Sequence, residues 1–381
     1  MGPGSAAALE AWLVEKAWPL WRDHGVDRDR GGFHEALDPV TLACPAVFRR
    51  LRVLARQTYV FAQAAERGLP GAQEIVACSL DRLLQVARQP DGGYAWRFAL
   101  DGRVIDQRRD LYDHAFVMLA LASAALVMPA PRLRREALRL IAWLDAHMRH
   151  PSGGYREALP PSPEPRRQNP HMHLLEATLA AWQAFGDDLF LDRADEIVAL
   201  FLQRFVDARR GVLPEFFDEQ LDALAIGNQA EPGHMAEWTS LLASYRHVSQ
   251  QARREVPYAT EEAGTVIWQF ALRHGRHRGH GAFVDTLDCG GNVLSAGARL
   301  WPQTERLKAA ALRNSEPGTL DAAIAALVPY LDHPVAGLWH ERRLSDGRFL
   351  TEPIPASSLY HLTSGILFTA RRIAGDIPST A

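Results

Sequence analysis

The stretch NPHMHLLE, residues 169–176, places two histidines and a glutamate within six positions, a combination typical of a metal site. Asn169, followed by a proline, predicts the N-cap of a helix that continues through LLEATLAAW. Successive helical residues rotate by about 100°, so the side chains of His171 and His173 diverge by about 200° and cannot chelate one ion. We therefore interpret His173 as a substrate contact or, alternatively, a satisfied helix-end histidine, within reach of Glu176. His171 receives no functional role.

Two further histidines stand at the starts of predicted helices. In EPGHMAEWTSLL, residues 231–242, Pro-Gly ends a loop and His234 opens a helix with Glu237 three residues on. At that spacing Glu237 could fix the imidazole tautomer or bind a hydroxyl, and a capping role for His234 is the alternative. His361 begins the last apolar helix, in PIPASSLYHLTSGIL. Both histidines are candidates for residues that face a cleft.

Other polar residues lie in otherwise apolar helical segments. Arg56, in RRLRVLARQTYVFAQA, is predicted to be either an ion-paired core residue or a ligand for oxygen atoms, because a buried unpaired guanidinium is unfavourable. Two helix starts carry further candidates: Trp301, Gln303 and Glu305 in one, and Asp110, Tyr112 and Asp113 in the other. The two aspartates are alternatively simple first-turn acids that favour the helix dipole.

Composition and missing motifs exclude several classes of protein. The 381 residues are 47% hydrophobic and 23% charged with a formal net charge of −3, which gives no reason to expect a nucleic-acid or membrane partner. The N-terminus lacks the basic region of a signal peptide, and no apolar run approaches the ~20 residues that span a bilayer. Three scattered cysteines suggest neither disulfides nor a zinc cluster, so we expect a reduced, cytoplasmic protein. No Walker, Rossmann or HExxH motif is found. The cationic RHGRHRGHG, from Arg273, is interpreted as a solvated surface loop rather than a phosphate site.

A repeat organises these residues. Short glycine-aromatic or glycine-aliphatic segments recur at intervals of roughly 60 residues, at Gly32, Gly93, Gly154, Gly211, Gly281 and Gly337. They are too short for helices and predict tight turns or small hairpins. The segments between them, such as HLLEATLAAWQAF and ADEIVALFLQRFV, have the apolar spacing of helices, and several have little polar face.

Each unit is therefore predicted to hold two helices, and six units give twelve. Such helix pairs bury a continuous core between neighbours when they close into a ring. The sequence predicts an all-α protein with one (α/α)6-barrel domain over residues 6–381; the alternative is an irregular all-α protein of two domains. Binding residues should come from the ends of many helices around a central cleft.

Six pieces of the chain, in order, resemble one family, the N-acylglucosamine 2-epimerase superfamily, which includes mannose isomerases and cellobiose 2-epimerase. They are ARQTYVFAQA, DLYDHAF, NPHMHLLEA, EPGHMAEWTSLL, WPQTERLKA and SSLYHL. The resemblance implies an (α/α)6 barrel that interconverts sugar isomers without metal or nicotinamide cofactors. It implies that His234 and His361 shuttle protons and that Arg56 stabilises an enediolate oxygen. Residues implied to line or support the sugar site are Tyr112, Asn169, His173, Glu237, Trp301 and Glu305.

The residue types suit this chemistry, because histidine titrates near neutral pH and arginine keeps its charge. SSLYHL resembles the mannose-isomerase branch, whereas ARQTYVF resembles the epimerase form, with Arg52 where isomerases carry an aromatic residue. We predict conversion of D-mannose to D-fructose through a cis-enediolate, by a monomer or homodimer acting on a free monosaccharide. A 2-epimerase of glucose/mannose or of N-acylhexosamines is the alternative. The loop REALPPSPEPRRQNP, from Arg156, is predicted to border the cleft.

Two other classes of function stay open. Glycoside hydrolases also use (α/α)6 barrels, and they need two carboxylates flanking the scissile bond. Such a pair could come from Asp110, Asp113, Glu237 and Glu305. A non-catalytic binding role is also possible, since a mammalian member of the family is known as a renin-binding protein.

Overall fold

Six helices form an inner ring in the computed structural model, which describes residues 4–161, 165–225, 227–313 and 318–375. In chain order, the first to sixth inner helices are Leu51–Glu66, Leu111–Ala124, Asn169–Phe185, Pro232–Gln251, Leu300–Leu312 and Ser357–Ala374. Each packs against the next, and the sixth packs against the first, so the ring closes. The inner helices contact neighbours on most sides, which explains why their sequences have little polar face.

An outer layer of helices covers this ring. It consists of Ala6–Trp12 continued by Leu13–Ala17 and Trp18–His24, Ala72–Arg82 continued by Leu83–Ala87, Ala130–His147, Asp188–Leu200 continued by Phe201–Phe205, Ala259–His274, and Thr319–Leu331. The five-residue segments within these runs are π-helical turns. Each outer helix packs on the inner helix that precedes it, and the first packs on the sixth inner helix. The predicted all-α (α/α)6 barrel is confirmed.

Short antiparallel strands join the helices at one end of the ring. They are Ala36–Leu37, Phe48–Arg50, Arg97–Ala99, Val104–Asp106, Arg109–Asp110, Ala158–Leu159, Arg166–Arg167, Phe216–Phe217, Gln229–Ala230, Thr286–Asp288, Val293–Ser295, Ala298–Arg299, Arg342–Arg343 and Ile354–Pro355. Ala36–Leu37 pairs with Ile354–Pro355, which ties the first unit to the last. The glycine segments are therefore tight turns leading into small hairpins, as the sequence predicts. Within the described ranges, every helix is too short or too polar to cross a bilayer.

His171 is part of this scaffold. Its Nε2 accepts a hydrogen bond of 3.0 Å from the backbone N–H of Tyr155, and its Nδ1 lies 3.3 Å from the carbonyl oxygen of Arg167. The imidazole of His171 packs closely on the glycine turn. A Cβ added at Gly154, whose φ is +64°, would lie 2.5 Å from the Nε2 of His171. The divergence of His171 from His173 follows from the helix, which begins at Asn169 with Gln168 at the cap position, so the predicted N-cap is wrong by one residue.

A hydrogen bond from the backbone N–H of the glycine turn to a side chain of the inner helix also occurs in two other units. The N–H of Tyr94 donates to His114 Nε2 at 3.0 Å, and the N–H of Phe283 donates to Gln303 Oε1 at 2.8 Å. In each case the second polar atom of the side chain pairs with the carbonyl four residues earlier. A side chain on the inner helix therefore anchors the glycine turn, and histidine and glutamine both serve.

We predict that His171→Ala lowers the free energy of unfolding by about 3 kcal/mol, because the Tyr155 N–H loses its acceptor and a cavity opens. His171→Gln should recover more than half of that loss, since Gln303 makes the same bond in another unit. Urea denaturation of both variants measures the difference. Equal losses in the two variants would contradict the shared role.

Candidate active site

The N-terminal halves of the six inner helices converge on one polar cavity of about 280 Å³. Eight of the nine predicted site residues line it: Arg56, Tyr112, Asn169, His173, His234, Glu237, Trp301 and His361. The ninth, Glu305, is fully buried behind His361. Helix N-termini carry partial positive charge, so this end of the barrel favours a developing negative charge on a ligand.

His361 is held by Glu305. Its Nδ1 lies 2.9 Å from Glu305 Oε1, and Nε2 makes no hydrogen bond to any described residue. Burial, together with the nearby cations Arg56 and Lys308, holds the pKa of His361 well below its ordinary value. His361 is therefore neutral at physiological pH. With the proton on Nδ1, its bare Nε2 is available to a ligand.

His234 is held in the same way by a residue that the sequence did not single out. Its Nδ1 lies 2.9 Å from Glu215 Oε1, whose other oxygen accepts a bond of 2.9 Å from Gln168 Nε2. Sequence reasoning assigned Glu237 as a possible partner that fixes the tautomer of His234. That option is wrong, because Glu215 occupies Nδ1 and neither Glu237 oxygen has a hydrogen-bond partner among the described residues.

The repeat carried the missing signal for Glu215. Five of the six glycine turns contain an acid four residues after their first or only glycine, at Glu35, Glu157, Glu215, Asp285 and Glu341. Three of these acids accept a backbone N–H at the start of the following inner helix, from Arg50, Arg167 and Arg299. In the fourth unit the acid at this position, Glu215, contacts the imidazole of His234 instead of a backbone N–H.

The two histidines differ in charge. Burial disfavours the charged form of His234, but Glu215 and Glu231 outweigh burial and raise its pKa to about 9. Trp301 lies between the two rings, with centroid distances of 5.0 Å to His234 and 5.6 Å to His361. The cavity thus presents an imidazolium and a neutral imidazole on either side of one indole, which is the arrangement of an acid and a base.

Arg56 is buried and, among the described residues, forms no ion pair. Its guanidinium donates to the hydroxyl of Tyr112 and lies over the rings of Phe116, at 4.1 Å, and Tyr360, at 5.0 Å. Of the two predicted roles, the ion-paired core residue is therefore excluded. Arg56 keeps its charge at the cavity wall, where it can meet an oxygen anion.

His173 and Asn169 form another part of the wall. His173 Nδ1 lies 3.2 Å from Glu176 Oε2, as the spacing predicts, and burial lowers the pKa of His173 to about 4. The buried Oδ1 of Asn169 has no hydrogen-bond partner in the described part of the chain. Burial and the neighbouring Glu305 raise the pKa of Glu237 well above its ordinary value, which favours its neutral form. These groups can hydrogen-bond to hydroxyls.

The structure adds lining residues that sequence reasoning missed: Glu231, Arg299, Glu341, Pro355, Ser357 and Ser358. Arg299 pairs with Glu231 Oε2 at 2.9 Å and Asp285 Oδ1 at 3.0 Å, so its charge is balanced. Glu231, Arg299, Glu341 and Pro355 lie in strands, turns or a helix cap, and Ser357 and Ser358 are the first two residues of the sixth inner helix, so helical spacing did not reveal them. The loop from Arg156 reaches the site through Gln168 and Asn169, whereas 162–164 lie outside the described residues.

Three clusters have enough donor atoms to hold a cation. Their ligand atoms lie within 4.8 Å of one another: His173, Glu176 and Glu237; Glu215, Glu231 and His234; and Glu237, Glu305 and His361. Competing contacts occupy two of them, since Lys308 Nζ lies 2.5 Å from Glu305 and Tyr360 donates to Glu176. The expectation of a metal-free site therefore stays a prediction.

The fold and the site define a class: an (α/α)6 barrel with two histidine–carboxylate pairs in one cavity, suited to proton transfer. The profile of the N-acylglucosamine 2-epimerase (GlcNAc 2-epimerase) family matches residues 31–365. The chain belongs to this family, whose members are isomerases and epimerases, and it is an enzyme of that kind.

Named relatives and a solved structure agree with this assignment. The chain is 38% identical, over 95% of both sequences, to a protein of Rhizobium meliloti named mannose-6-phosphate isomerase. It is 31% identical to the D-mannose isomerase of Thermobifida fusca, over 82% of this chain and 80% of that one. The cellobiose 2-epimerase structure of Spirochaeta thermophila superimposes with a TM-score of 0.85 at 22% identity, covering 97% of both chains.

We predict that the imidazole of His234 titrates near pH 9 and that Glu215→Gln lowers this pKa, because glutamine removes the charge that opposes burial. Since the folded pKa exceeds the ordinary 6.5, the stability contributed by this pair is complete below pH 6.5 and lost as the pH rises through about 9. NMR titration of ¹⁵N-labelled histidine measures it. An unchanged titration in Glu215→Gln would contradict the assignment.

Proposed function

We propose that the protein is an aldose–ketose isomerase that converts D-mannose to D-fructose by proton transfer through a cis-enediolate. The observation that carries the proposal is the matched bonding of two histidines, each with Nδ1 2.9 Å from a buried carboxylate in one cavity. Removing a proton next to a carbonyl is promoted by an unprotonated base and by an acid at the oxygen, and this pair supplies both.

In this mechanism the bare Nε2 of His361 accepts the C2 proton of the open-chain sugar and returns it to C1. The imidazolium of His234 donates a proton to the C1 carbonyl oxygen as charge develops there and, now neutral, takes up the proton of the C2 hydroxyl as the C2 carbonyl forms. Arg56 stabilises the enediolate oxygens with its guanidinium charge, and the converging helix N-termini add to it. Asn169, His173 and Glu237 hydrogen-bond sugar hydroxyls, while Tyr112 fixes the guanidinium.

Isomerisation is preferred over 2-epimerisation, which remains the alternative. Arg52 was the residue that resembled the epimerase branch. Its Nε lies 2.8 Å from the buried Asp113, and it does not line the cavity. Arg52 itself therefore makes no contact with the cavity in which the sugar would bind. The two relatives with isomerase names support the same choice.

The glycoside-hydrolase alternative finds little support in the geometry. Asp110 caps the second inner helix by accepting the N–H of Asp113 at 3.2 Å. Asp113 is tied to Arg52, and Glu305 is tied to His361 and Lys308. Glu237 alone of the four candidate acids lines the cavity without a hydrogen bond, so the required pair of free carboxylates is missing among those candidates.

The proposal also covers the extent of the catalytic domain, the cofactors, the oligomeric state and the cellular compartment. The six inner helices all contribute site residues, which supports one catalytic domain over residues 6–381, of which 162–164, 226, 314–317 and 376–381 lie outside the described residues. We propose action without metal or nicotinamide cofactor, as a monomer or homodimer, on a monosaccharide. The three cysteines are free thiols, which supports the expected reducing cytoplasm.

We predict that D-mannose is a better substrate than mannose-6-phosphate, by at least about tenfold in kcat/KM. The cavity holds Glu231 and Glu341, its peripheral cation Arg299 is already paired with two acids, and the mechanism assigns Arg56 and His234 to the reacting oxygens, so a phosphate at C6 would lack a cation of its own. Steady-state assays with both sugars provide the comparison. Higher kcat/KM for the phosphorylated sugar would overturn this substrate assignment while leaving the reaction class intact.

We predict that His234→Asn and His361→Asn each lower kcat by at least about 10³-fold, because each removes one proton-transfer group while keeping a similar shape. Incubation with mannose, glucose, fructose and N-acetylmannosamine in D₂O, followed by NMR, gives the product and the deuterated carbon. His171→Gln serves as the control and should retain activity. Deuterium at C2 of an epimer, with little ketose, would favour the epimerase alternative. Substantial activity in both asparagine variants would exclude histidine-mediated transfer.

A further inference from the structure

Lys308 is a buried cation that the mechanism does not use. It lies one turn after Glu305 on the fifth inner helix, its side chain is 5% exposed, and Nζ is 2.5 Å from Glu305 Oε2. Nζ also lies 3.5 Å from the hydroxyl of Ser364. Lys308 does not line the sugar cavity. It instead borders a second cavity of about 520 Å³ nearer the C-terminal ends of the inner helices.

The surroundings of Lys308 contain more acids than cations. The groups that face it or His361 from the packed elements are Arg56 and Tyr59 on the first inner helix, His173 and Glu176 on the third, Glu237 on the fourth, Glu305 on the fifth, and Tyr360 and His361 on the sixth. Glu176 already accepts bonds from Tyr360 and His173. The ammonium is therefore directed to Glu305.

The protonation of Glu305 decides which nitrogen of His361 carries a proton. An ionised Glu305 only accepts hydrogen bonds, so Nδ1 must be the protonated nitrogen and Nε2 is bare. A neutral Glu305 could donate its own proton to Nδ1, which would move the ring proton to Nε2. A protonated Nε2 facing the sugar cannot accept the C2 proton.

Burial raises the pKa of the fully buried Glu305 above its ordinary value, and Lys308 is the main group that opposes this shift. We propose that Lys308 is a positioning residue: its ammonium keeps Glu305 ionised and thereby presents the bare Nε2 of His361 to the sugar. The chain of contacts is Lys308 to Glu305 at 2.5 Å and Glu305 to His361 at 2.9 Å. The kinetic consequence rests on the proposed function, whereas the tautomer is a property of the resting protein.

NMR of the resting enzyme with ¹⁵N-labelled histidine tests the tautomer without any substrate. At pH 7 the wild type should show His361 with its proton on Nδ1, and Lys308→Met should move it to Nε2. Lys308→Arg keeps the charge and should retain the Nδ1 form. A wild-type His361 protonated on Nε2 would overturn the proposal, whether or not any variant folds.

Kinetics test the consequence. Lys308→Met should lower kcat by about 100-fold with little change in KM, because the sugar still binds but meets the wrong tautomer. The acid limb of the pH profile should move to higher pH, since removing the ammonium makes protonation of His361 easier. Lys308→Arg should restore most of the rate and the position of the limb.

Ser244→Ala is the matched control, because Ser244 lines the same second cavity but makes its hydrogen bond to the carbonyl of Ser240. It should leave kcat and the pH profile unchanged. A Lys308→Met variant that loses thermal stability but keeps the wild-type acid limb and the Nδ1 tautomer would show a structural role only. If the wild type converts no hexose, the proposed function fails, and the tautomer shift still decides the role of Lys308.

Discussion

A hydrogen bond between an imidazole Nδ1 and a buried carboxylate occurs twice in this site, at 2.9 Å each time, and it fixes which nitrogen faces the sugar. What differs between the two copies is the charge beyond the carboxylate. Glu215 and Glu231 together favour an imidazolium at His234. At His361, burial together with the cations Arg56 and Lys308 outweighs the acids and lowers the pKa, so that ring stays neutral. The same imidazole–carboxylate hydrogen bond, placed in two different electrostatic surroundings, therefore gives an acid at His234 and a base at His361.

The barrel makes this contrast possible. Closing six inner helices into a ring brings together side chains that are far apart in sequence, such as Arg56 and His361, and aligns helix N-termini around one cavity. Short hairpins at that end deliver Glu215, which lies in a glycine turn rather than a helix. The scaffold uses related contacts for stability alone, as the bond between His171 and the N–H of Tyr155 shows.

The parts of the fold and the site that could be predicted are those with a periodic pattern in the sequence. The glycine spacing and apolar patterns gave the fold, and helix geometry separated His171 from His173. The resemblance placed Arg56 at the site, and the structure then removed the alternative of an ion-paired core residue. The glycine repeat marks the position of Glu215, but helical spacing could not pair Glu215 with His234, because the two residues are 19 positions apart with a hairpin between them. Periodicity also could not show that Arg52 forms an ion pair with Asp113, because that contact depends on how the first and second inner helices pack together.

The central claim is that one neutral base, His361, removes the C2 proton of mannose and returns a proton to C1. The most direct measurement follows D-[2-²H]mannose in H₂O by NMR and mass spectrometry. The account predicts a primary isotope effect on conversion and fructose that carries the residual deuterium on one prochiral face at C1. Fructose formed with deuterium distributed equally over both C1 positions, or conversion without any isotope effect, would contradict it.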